Sequence, residues 1–233
     1  MTTGTERSRA TRESLQAAAL ETLRTEGVAG LSARVVADRA GQNQALIFYH
    51  FGSVGGLVDA ACRASVEQST GRYRAELAAA ASFGQLLDVG RRLHDQEREL
   101  GNVRVMAQLL AGAQQDSALA ETARFCLQRW HAEIEPTVRR LLTGSPLELI
   151  VEPSALARTI SAGFVGLELY EGVDPDGARG AVDALQRLGV LVEAVDDLGP
   201  IARRALRTTL RRAGLASADT PTRRSRRSGR ATE

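Results

Sequence analysis

Apolar residues recur at helical spacing along most of the chain. Leu15, Ala18, Ala19 and Leu23 share one face of a predicted helix, and Gly27 can end that helix. Comparable stripes continue to the C-terminal region, and the longer predicted helices cover about residues 8–26, 54–81, 83–100, 102–115, 117–142, 154–172, 178–197 and 200–214. The one β-rich run, residues 147–151, is short and bounded by prolines. The pattern therefore predicts an all-α fold.

Two short helices fit between the first and second of these long helices. Ser32 is a natural N-cap for a helix ending at Ala40, and Gly41 can adopt the positive φ that stops a helix. Asn43 can cap a further helix running to Phe51. Two short helices joined by a Gly-containing turn predict a helix-turn-helix, whose second helix enters the DNA major groove.

The second short helix has two different faces. Ile47 and Phe51 are four positions apart and can bury together. The remaining side chains suit a groove, since Gln can pair with adenine, Ala or Leu can touch a thymine methyl, and Tyr and His can donate to phosphates. These side chains are Gln44, Ala45, Leu46, Tyr49 and His50. Spacing alone also allows a small amphipathic helix whose aromatic residues are core.

The first sixty or so residues resemble a known family. The run from Ala40 to Phe51, followed by residues 52–57, resembles the DNA-binding signature of the TetR family of one-component regulators. Leu31-Ser32 and the residues of the first helical stripe agree with it. The resemblance implies a helix-turn-helix DNA-binding domain over residues 1–53 and a helical effector-binding and dimerisation domain over 54–215. Composition predicts a disordered, Arg-rich tail over 216–233.

The resemblance also implies a set of DNA-binding residues, which are Ser32, Ala33, Arg34, Gln44, Ala45, Leu46, Phe48, Tyr49 and His50. We expect residues 44–46 to read base edges and Ser32, Arg34, Tyr49 and His50 to hold the DNA backbone. The chain departs from the family where Phe48 replaces a frequent Tyr and Val54-Gly55 replaces a Lys-Glu pair. Both changes remove groups that could contact phosphate.

The resemblance further implies a homodimer on a palindromic operator, most often acting as a repressor, with a small-molecule effector bound between helices. Candidate effector-binding residues are Met106, Cys126, Trp130 and Phe164, although each can equally be ordinary core. The apolar helices at 154–172 and 178–197 could form half of a four-helix dimer interface, or both could bury within one monomer. A flat spot at Ala162, Gly163 and Gly166 suits close approach by another backbone.

Four local signals give further expectations. Asn102 and Ser117 are expected to cap helices, and residues 174–177 are expected to form a turn. Arginines at the start of the first helix, at positions 7, 9 and 12, could reach DNA or simply be solvated. His94 is expected to be a hydrogen-bonded structural residue.

Composition narrows the function without choosing a ligand. The formal net charge is +2 and all 30 Lys+Arg residues are Arg, so DNA affinity must come from the arrangement of charge. No glycine-rich phosphate loop, nucleophile elbow or paired-His motif is present, which argues against an enzyme, a cofactor or a metal site. The alternative function is an all-helical binding or adaptor protein without specific DNA recognition.

The two cysteines and the N-terminus bear on the compartment. Cys62 and Cys126 match no metal or disulfide spacing, so we expect buried small residues, with a redox-sensing thiol as the alternative. The N-terminus lacks the apolar core of a signal peptide, and no apolar run approaches the ~20 residues of a membrane span. The sequence predicts a cytoplasmic protein.

Overall fold

The computed structural model describes residues 2–196 and 198–212 and confirms the all-α prediction for them. The helices are α1 (Thr2–Glu26), α2 (Ala33–Ala40), α3 (Ala45–Phe51), α4 (Val54–Ala79), α5 (Phe83–Glu99), α6 (Asn102–Gly112), α7 (Ser117–Leu142), α8 (Pro153–Glu171), α9 (Pro175–Asp196) and α10 (Pro200–Arg212). Two 3₁₀ turns, Val28–Gly30 and Pro146–Leu149, connect them. The predicted disordered tail, residues 216–233, lies outside the described residues.

The first three helices and the start of α4 enclose one apolar core. Its fully buried members include Leu15, Val36, Ile47 and Leu57, one from each helix. Gly27 and Gly41 have φ of 71° and 63°, so both predicted glycine stops occupy the left-handed region that penalises a Cβ. We call the unit built from α1, α2, α3 and the start of α4 the head.

The long helix α4 connects the head to the remaining helices. It packs along α7, and the two helices run in the same direction. Near one end the Thr122 hydroxyl donates to Asp59 at 2.6 Å, and near the other the Thr137 hydroxyl donates to the Leu77 carbonyl at 2.7 Å. These hydrogen bonds attach both ends of α4 to α7, so α4 can act as a rigid connector between the head and the remaining helices.

A second core crosses from the head into the rest of the molecule. Leu23 of α1 is fully buried in the same cluster as Val58, Leu109 and Leu119, which belong to α4, α6 and α7. A third core lies further along α4, between α5, α7 and α8, with buried members Tyr73, Leu77, Leu86, Val138, Leu142 and Ala157. The end of α1 therefore packs against the body of the protein as well as within the head.

Several helix starts differ from the sequence expectations. α1 begins at Thr2 rather than near residue 8. The predicted cap Asn102 instead turns its amide toward Glu97 at 2.7 Å, and Gly101 occupies the cap position. Asp116, not Ser117, caps α7 by accepting from two backbone N–H groups.

The expected turn at residues 174–177 was also wrong. Pro175 opens α9, and the Asp174 side chain accepts the Gly177 N–H at 2.9 Å. Proline suits a first helical position because no intrahelical partner exists there for an N–H.

Within the described part of the chain, no individual helix is both long and apolar enough to cross a membrane. The bent pair α3–α4, with a 62° break, passes such a test by length and composition alone.

Candidate functional site

The turn between α2 and α3 is fixed by side-chain caps. The Ser32 hydroxyl accepts the Val35 N–H at 3.2 Å, and the side-chain amide oxygen of Asn43 accepts the Ala45 N–H at 2.8 Å. The predicted Ser32 cap is confirmed. At α3 the N-cap position is Gln44, which makes no side-chain cap, so Asn43 holds the helix start from one residue earlier. With Gly41 in the left-handed conformation, the chain changes direction sharply between the two helices.

The inner face of α3 anchors the helix in the head. Ile47 is fully buried and Phe51 is half-buried, as their four-residue spacing predicted. Val54, at the position where the resembling family has Lys, also packs against this core. The missing cation is therefore replaced by an apolar contact that fastens α4 to the head.

The outer face of α3 leaves large side chains in solvent. Tyr49 is 81% exposed and Phe48 is 51% exposed, although both carry aromatic rings. Gln44 and Ala45 are also exposed, while Leu46 is half-buried. Two large aromatic side chains are therefore exposed next to each other on a helix of seven residues, as is typical of an interaction surface. This face is the candidate nucleic-acid interface.

The remaining predicted DNA-binding residues lie at the two ends of the motif. Ser32 and Arg34 are exposed and Ala33 is half-buried at the N-terminus of α2. His50 is half-buried near the end of α3, where its ring lies edge-on to Tyr49 with centroids 4.8 Å apart. Ala33 packs against the apolar core of the head, whereas Ser32 and Arg34 point into solvent.

Arg12 orients α3 from outside the motif. Its guanidinium donates to the His50 carbonyl at 3.0 Å and lies 4.7 Å from the centre of the Phe51 ring. A cation at a helix C-terminus satisfies a free carbonyl and complements the helix dipole. Sequence reasoning had considered Arg12 for DNA contact, but it missed this role because the partner is 38 positions away.

Gly56 allows α3 and α4 to meet closely. A Cβ added at this position would lie 2.3 Å from the Phe51 carbonyl oxygen, a backbone atom that cannot rotate away. Glycine is therefore required where α4 starts, because the end of α3 occupies the space of a side chain.

A family comparison agrees with this geometry. Residues 15–61 match the family model described as bacterial regulatory proteins, tetR family. The match begins at the buried Leu15 of α1, includes both short helices and ends inside α4. The N-terminal domain belongs to the TetR family. Proteins of this family are DNA-binding transcriptional regulators, and the fold of this chain agrees with that assignment.

Solved structures share the fold over most of the chain. A Rhodococcus sp. protein classed as a TetR-family transcriptional regulator is 22% identical, covering 77% of this chain and 98% of its own, with a TM-score of 0.62. Reduced NemR from E. coli is 15% identical, covering 76% and 96%, with a TM-score of 0.64. The multidrug binding protein EbrR, in complex with imidazole, is 26% identical, covering 75% and 93%, with a TM-score of 0.51.

A search of curated protein sequences gave no match to the chain. The solved structures therefore show a shared fold, and the ligand chemistry of this chain has to be argued from its own residues.

The body of the protein contains a large apolar cavity of about 450 Å³, lined by residues from α4 to α9. All four predicted effector-binding residues lie on its wall, with Met106 on α6, Cys126 and Trp130 on α7, and Phe164 on α8. The structure brings these residues together, and their role in binding a ligand stays a prediction.

The two cysteines lie side by side in this wall. Both are buried, and the Cys126 sulfur lies 3.9 Å from the Cys62 carbonyl oxygen. Burial raises the pKa of the Cys62 thiol to about 12 and that of Cys126 to about 11. A thiol that is buried and protonated reacts slowly, so the arrangement favours the expected packing role over redox sensing.

One polar cluster on the cavity wall is fully hydrogen-bonded. The Glu97 carboxylate is buried and accepts from four donors within 3.2 Å, namely Ser69, Arg72, Tyr73 and Asn102. These donors come from α4 and α6, so one carboxylate on α5 ties three helices together. Sequence reasoning missed this network, because Glu97 resembles any solvated residue of an amphipathic helix.

A second polar cluster surrounds His94 at another part of the wall. His94 is 7% exposed, and its Nε2 lies 2.6 Å from a Glu171 oxygen. The other Glu171 oxygen accepts from Arg98 at 2.6 Å. The expected hydrogen-bonded structural His is confirmed, but the same residue also faces the cavity.

Proposed function

We propose that this TetR-family regulator is a cytoplasmic, ligand-responsive repressor that binds a palindromic operator as a homodimer. The observation that carries the DNA-binding part is the outer face of α3, where Tyr49 and Phe48 are exposed on a helix anchored from behind by Ile47. Duplex DNA is the partner that such a face fits, since α3 is the second helix of a helix-turn-helix.

The proposed contacts divide by chemistry. Gln44, Ala45 and Leu46, at the N-terminal end of α3, read base edges. Tyr49 and His50 hold the DNA backbone from the same helix, and Phe48 packs against sugar or a thymine methyl. At the start of α2, Arg34 pairs with a phosphate beside Ser32 and Ala33, where the helix dipole also favours an anion.

Fluorescence anisotropy with labelled promoter DNA of this gene tests the contacts. Arg34→Ala should weaken binding of all sequences and lower the slope of log affinity against log salt by about one. Gln44→Ala should remove about 1–3 kcal/mol of discrimination at one base pair. Arg104→Ala and Gln115→Ala are matched controls, because both residues are exposed on the body of the protein.

The outcome that contradicts the proposal is binding that is unchanged by Arg34→Ala and Gln44→Ala. Binding that shows no salt dependence would instead support the adaptor alternative, in which the helix-turn-helix serves only packing.

The proposed dimer face lies on α8. Its small residues Ala162, Gly163 and Gly166 are exposed, and a Cβ added at either glycine would meet nothing within 4 Å. Large apolar side chains on α8, after it and on α9 are also exposed, with Leu169 at 47%, Tyr170 at 51%, Val173 at 86% and Leu185 at 47%. Such a surface suits a two-fold contact that sets two α3 helices ~34–36 Å apart.

Light scattering after size exclusion tests the dimer. Gly163→Glu should give a monomer, because a charged side chain would separate the two backbones. Gly71→Glu is the control, since Gly71 is exposed on α4 and equally open. A dimer that tolerates Gly163→Glu would place the interface elsewhere.

The proposed ligand response uses the packing between α1 and α6. Leu109 of α6 lines the cavity and shares a core with Leu23 of α1. The Gln108 side chain lies against Gly27, where an added Cβ would be 2.6 Å from its oxygen. A ligand that displaces α6 would therefore move α1, and with it the head. The structural likeness to the multidrug binding protein EbrR supports a small-molecule effector.

A thermal-shift screen followed by operator anisotropy tests this response. A compound that raises the melting temperature should also release labelled operator, because a ligand favouring one conformer lowers affinity for the other. A set of stabilising ligands with no effect on operator affinity would contradict the proposed coupling.

A further inference from the structure

The cavity wall contains the carboxylate of Glu168, whose ion pair with His94 is long, at 3.8 Å. Besides the two buried thiols, four ionisable side chains of the described residues line the cavity, namely Arg91, His94, Glu97 and Glu168. Glu97 is occupied by its four donors. Arg91 is half exposed and lies 3.7 Å from Asp88, so it is placed at the rim. His94 and Glu168 therefore supply the ionisable groups that face the interior.

These two residues do not form a hydrogen bond with each other. His94 Nδ1 is buried and has no hydrogen-bond partner among the described residues. Its nearest carboxylate oxygen belongs to Glu168 and is 3.8 Å away, beyond hydrogen-bond range. The Glu168 side chain is 12% exposed and makes no other ion pair or hydrogen bond within the part of the chain that the structure describes. A buried carboxylate without a close partner is unfavourable.

The charges around His94 and Glu168 determine which chemical class of ligand the cavity can bind. Glu171 already holds both Arg98 and His94 Nε2, so Arg98 is not available to Glu168. His94 Nε2 faces Glu171, while its Nδ1 lies 3.8 Å from Glu168, too far for a hydrogen bond. The Glu168 carboxylate therefore faces the cavity with unused capacity to accept hydrogen bonds. An anionic ligand would be repelled by this carboxylate, and a neutral apolar ligand would leave it unpaired.

We propose that the cavity binds apolar amines, with the protonated amine donating to Glu168 and the apolar body lying among Trp130, Met106 and Phe164. This inference rests on the proposed function, because it names the chemistry of the effector for the same cavity. Neighbouring carboxylates raise the pKa of His94, Glu168 first and then Glu171, against the opposing effect of burial. The negative field that raises this pKa is the field that an ammonium group would enter.

Trp130 provides the assay, because it is the single tryptophan of the chain and lines the cavity. Three probes of equal length, decylamine, decanol and decanoate, are titrated into the full-length protein while Trp130 fluorescence is followed. Decylamine should bind about tenfold tighter than decanol, since a charge-assisted hydrogen bond contributes roughly that factor. Decanoate should bind more weakly than decanol.

The variant Glu168→Gln should abolish the preference of the cavity for decylamine over decanol while leaving decanol binding nearly unchanged. At a pH above the pKa of His94 it should also melt no lower than the wild type, because the carboxylate that is removed then faces no charged partner. Glu99→Gln is the matched control, since Glu99 is exposed on α5 and the same charge is lost. Decylamine should bind more tightly as pH rises above the pKa of His94, because a protonated His94 beside Glu168 would repel the ammonium group.

Three results would overturn the inference. These are equal binding of decylamine and decanol, tightest binding of decanoate, and a preference for decylamine that survives Glu168→Gln. A failure of all three probes to bind up to their solubility limits would also overturn it. Operator anisotropy separates this inference from the proposed function, because selective amine binding without DNA release would refute only the regulatory coupling. Operator release by effectors that are not amines would refute only the amine assignment.

Discussion

The Glu97 network gives the sharpest stability prediction. Glu97→Ala removes the acceptor of four hydrogen bonds between 2.7 and 3.2 Å. Two of the four donors would still have another hydrogen-bond partner. Tyr73 also donates to Gln96 at 2.8 Å, and Arg72 is 31% exposed and can donate to water. The Ser69 hydroxyl is buried, and the acceptor shown for its proton is Glu97. The variant also removes the negative member of the Arg72–Glu97 ion pair.

The expected loss of unfolding free energy in Glu97→Ala follows from these hydrogen-bond partners. Removing one member of a buried ion pair typically costs about 3–5 kcal/mol, and the two partly rescued donors place this case near the lower end, at about 3 kcal/mol. For a domain of this size the melting temperature should fall by roughly 6–12 °C. Differential scanning calorimetry at one fixed protein concentration measures it, since dimerisation makes the melting temperature depend on concentration.

Glu99→Ala is the control for Glu97→Ala, because both changes delete a glutamate from the last turn of α5 and Glu99 is exposed. The control should change stability by less than about 0.5 kcal/mol. Equal stability of the two variants would refute the reasoning, since it would show that the network contributes nothing beyond an exposed carboxylate. Glu97→Gln, which keeps an acceptor but removes the charge, should lie between the two.

Three further predictions test other parts of the structure. Gly56→Ala should destabilise the head by about 1–3 kcal/mol and weaken operator binding, because its Cβ would press on the Phe51 carbonyl; urea unfolding and anisotropy measure both, and unchanged values would contradict the contact. Cys62 and Cys126 should not react with a disulfide reagent at pH 8 until the protein is unfolded; rapid labelling of the native protein would restore redox sensing as an alternative. The raised pKa of His94 contributes stability that is complete below its ordinary value of 6.5 and is lost as pH rises through the folded value, so the melting temperature should decline over that range; His94→Asn should remove this part of the decline, and an unchanged profile would refute it.

The head could be predicted in detail because its signals are local. Gly41 and Asn43 act within two residues of their own positions, so the sequence contains both the stop and the cap. The buried pair Ile47 and Phe51 follows from helical spacing. Family resemblance then added the DNA-binding role, which spacing alone left open.

The polar parts of the cavity could not be predicted, because their partners are distant in sequence. His94 and Glu171 are 77 positions apart, and nothing near either residue indicates the other. Asn102 shows the same difficulty, since its local position favours a cap while the structure uses its amide for Glu97. A side chain that can serve a local or a remote partner is decided by tertiary packing.

The shared core at Leu23 limits how freely the reading head could be exchanged between relatives. A graft cut at residue 53 would carry α1 away from the Val58, Leu109 and Leu119 surface that buries its last turn. The protein that received the graft would then have an apolar surface on α4, α6 and α7 that does not fit the new first helix. Recombination between such regulators, in nature or in the laboratory, should therefore succeed mainly where the incoming first helix fits the resident α6 and α7.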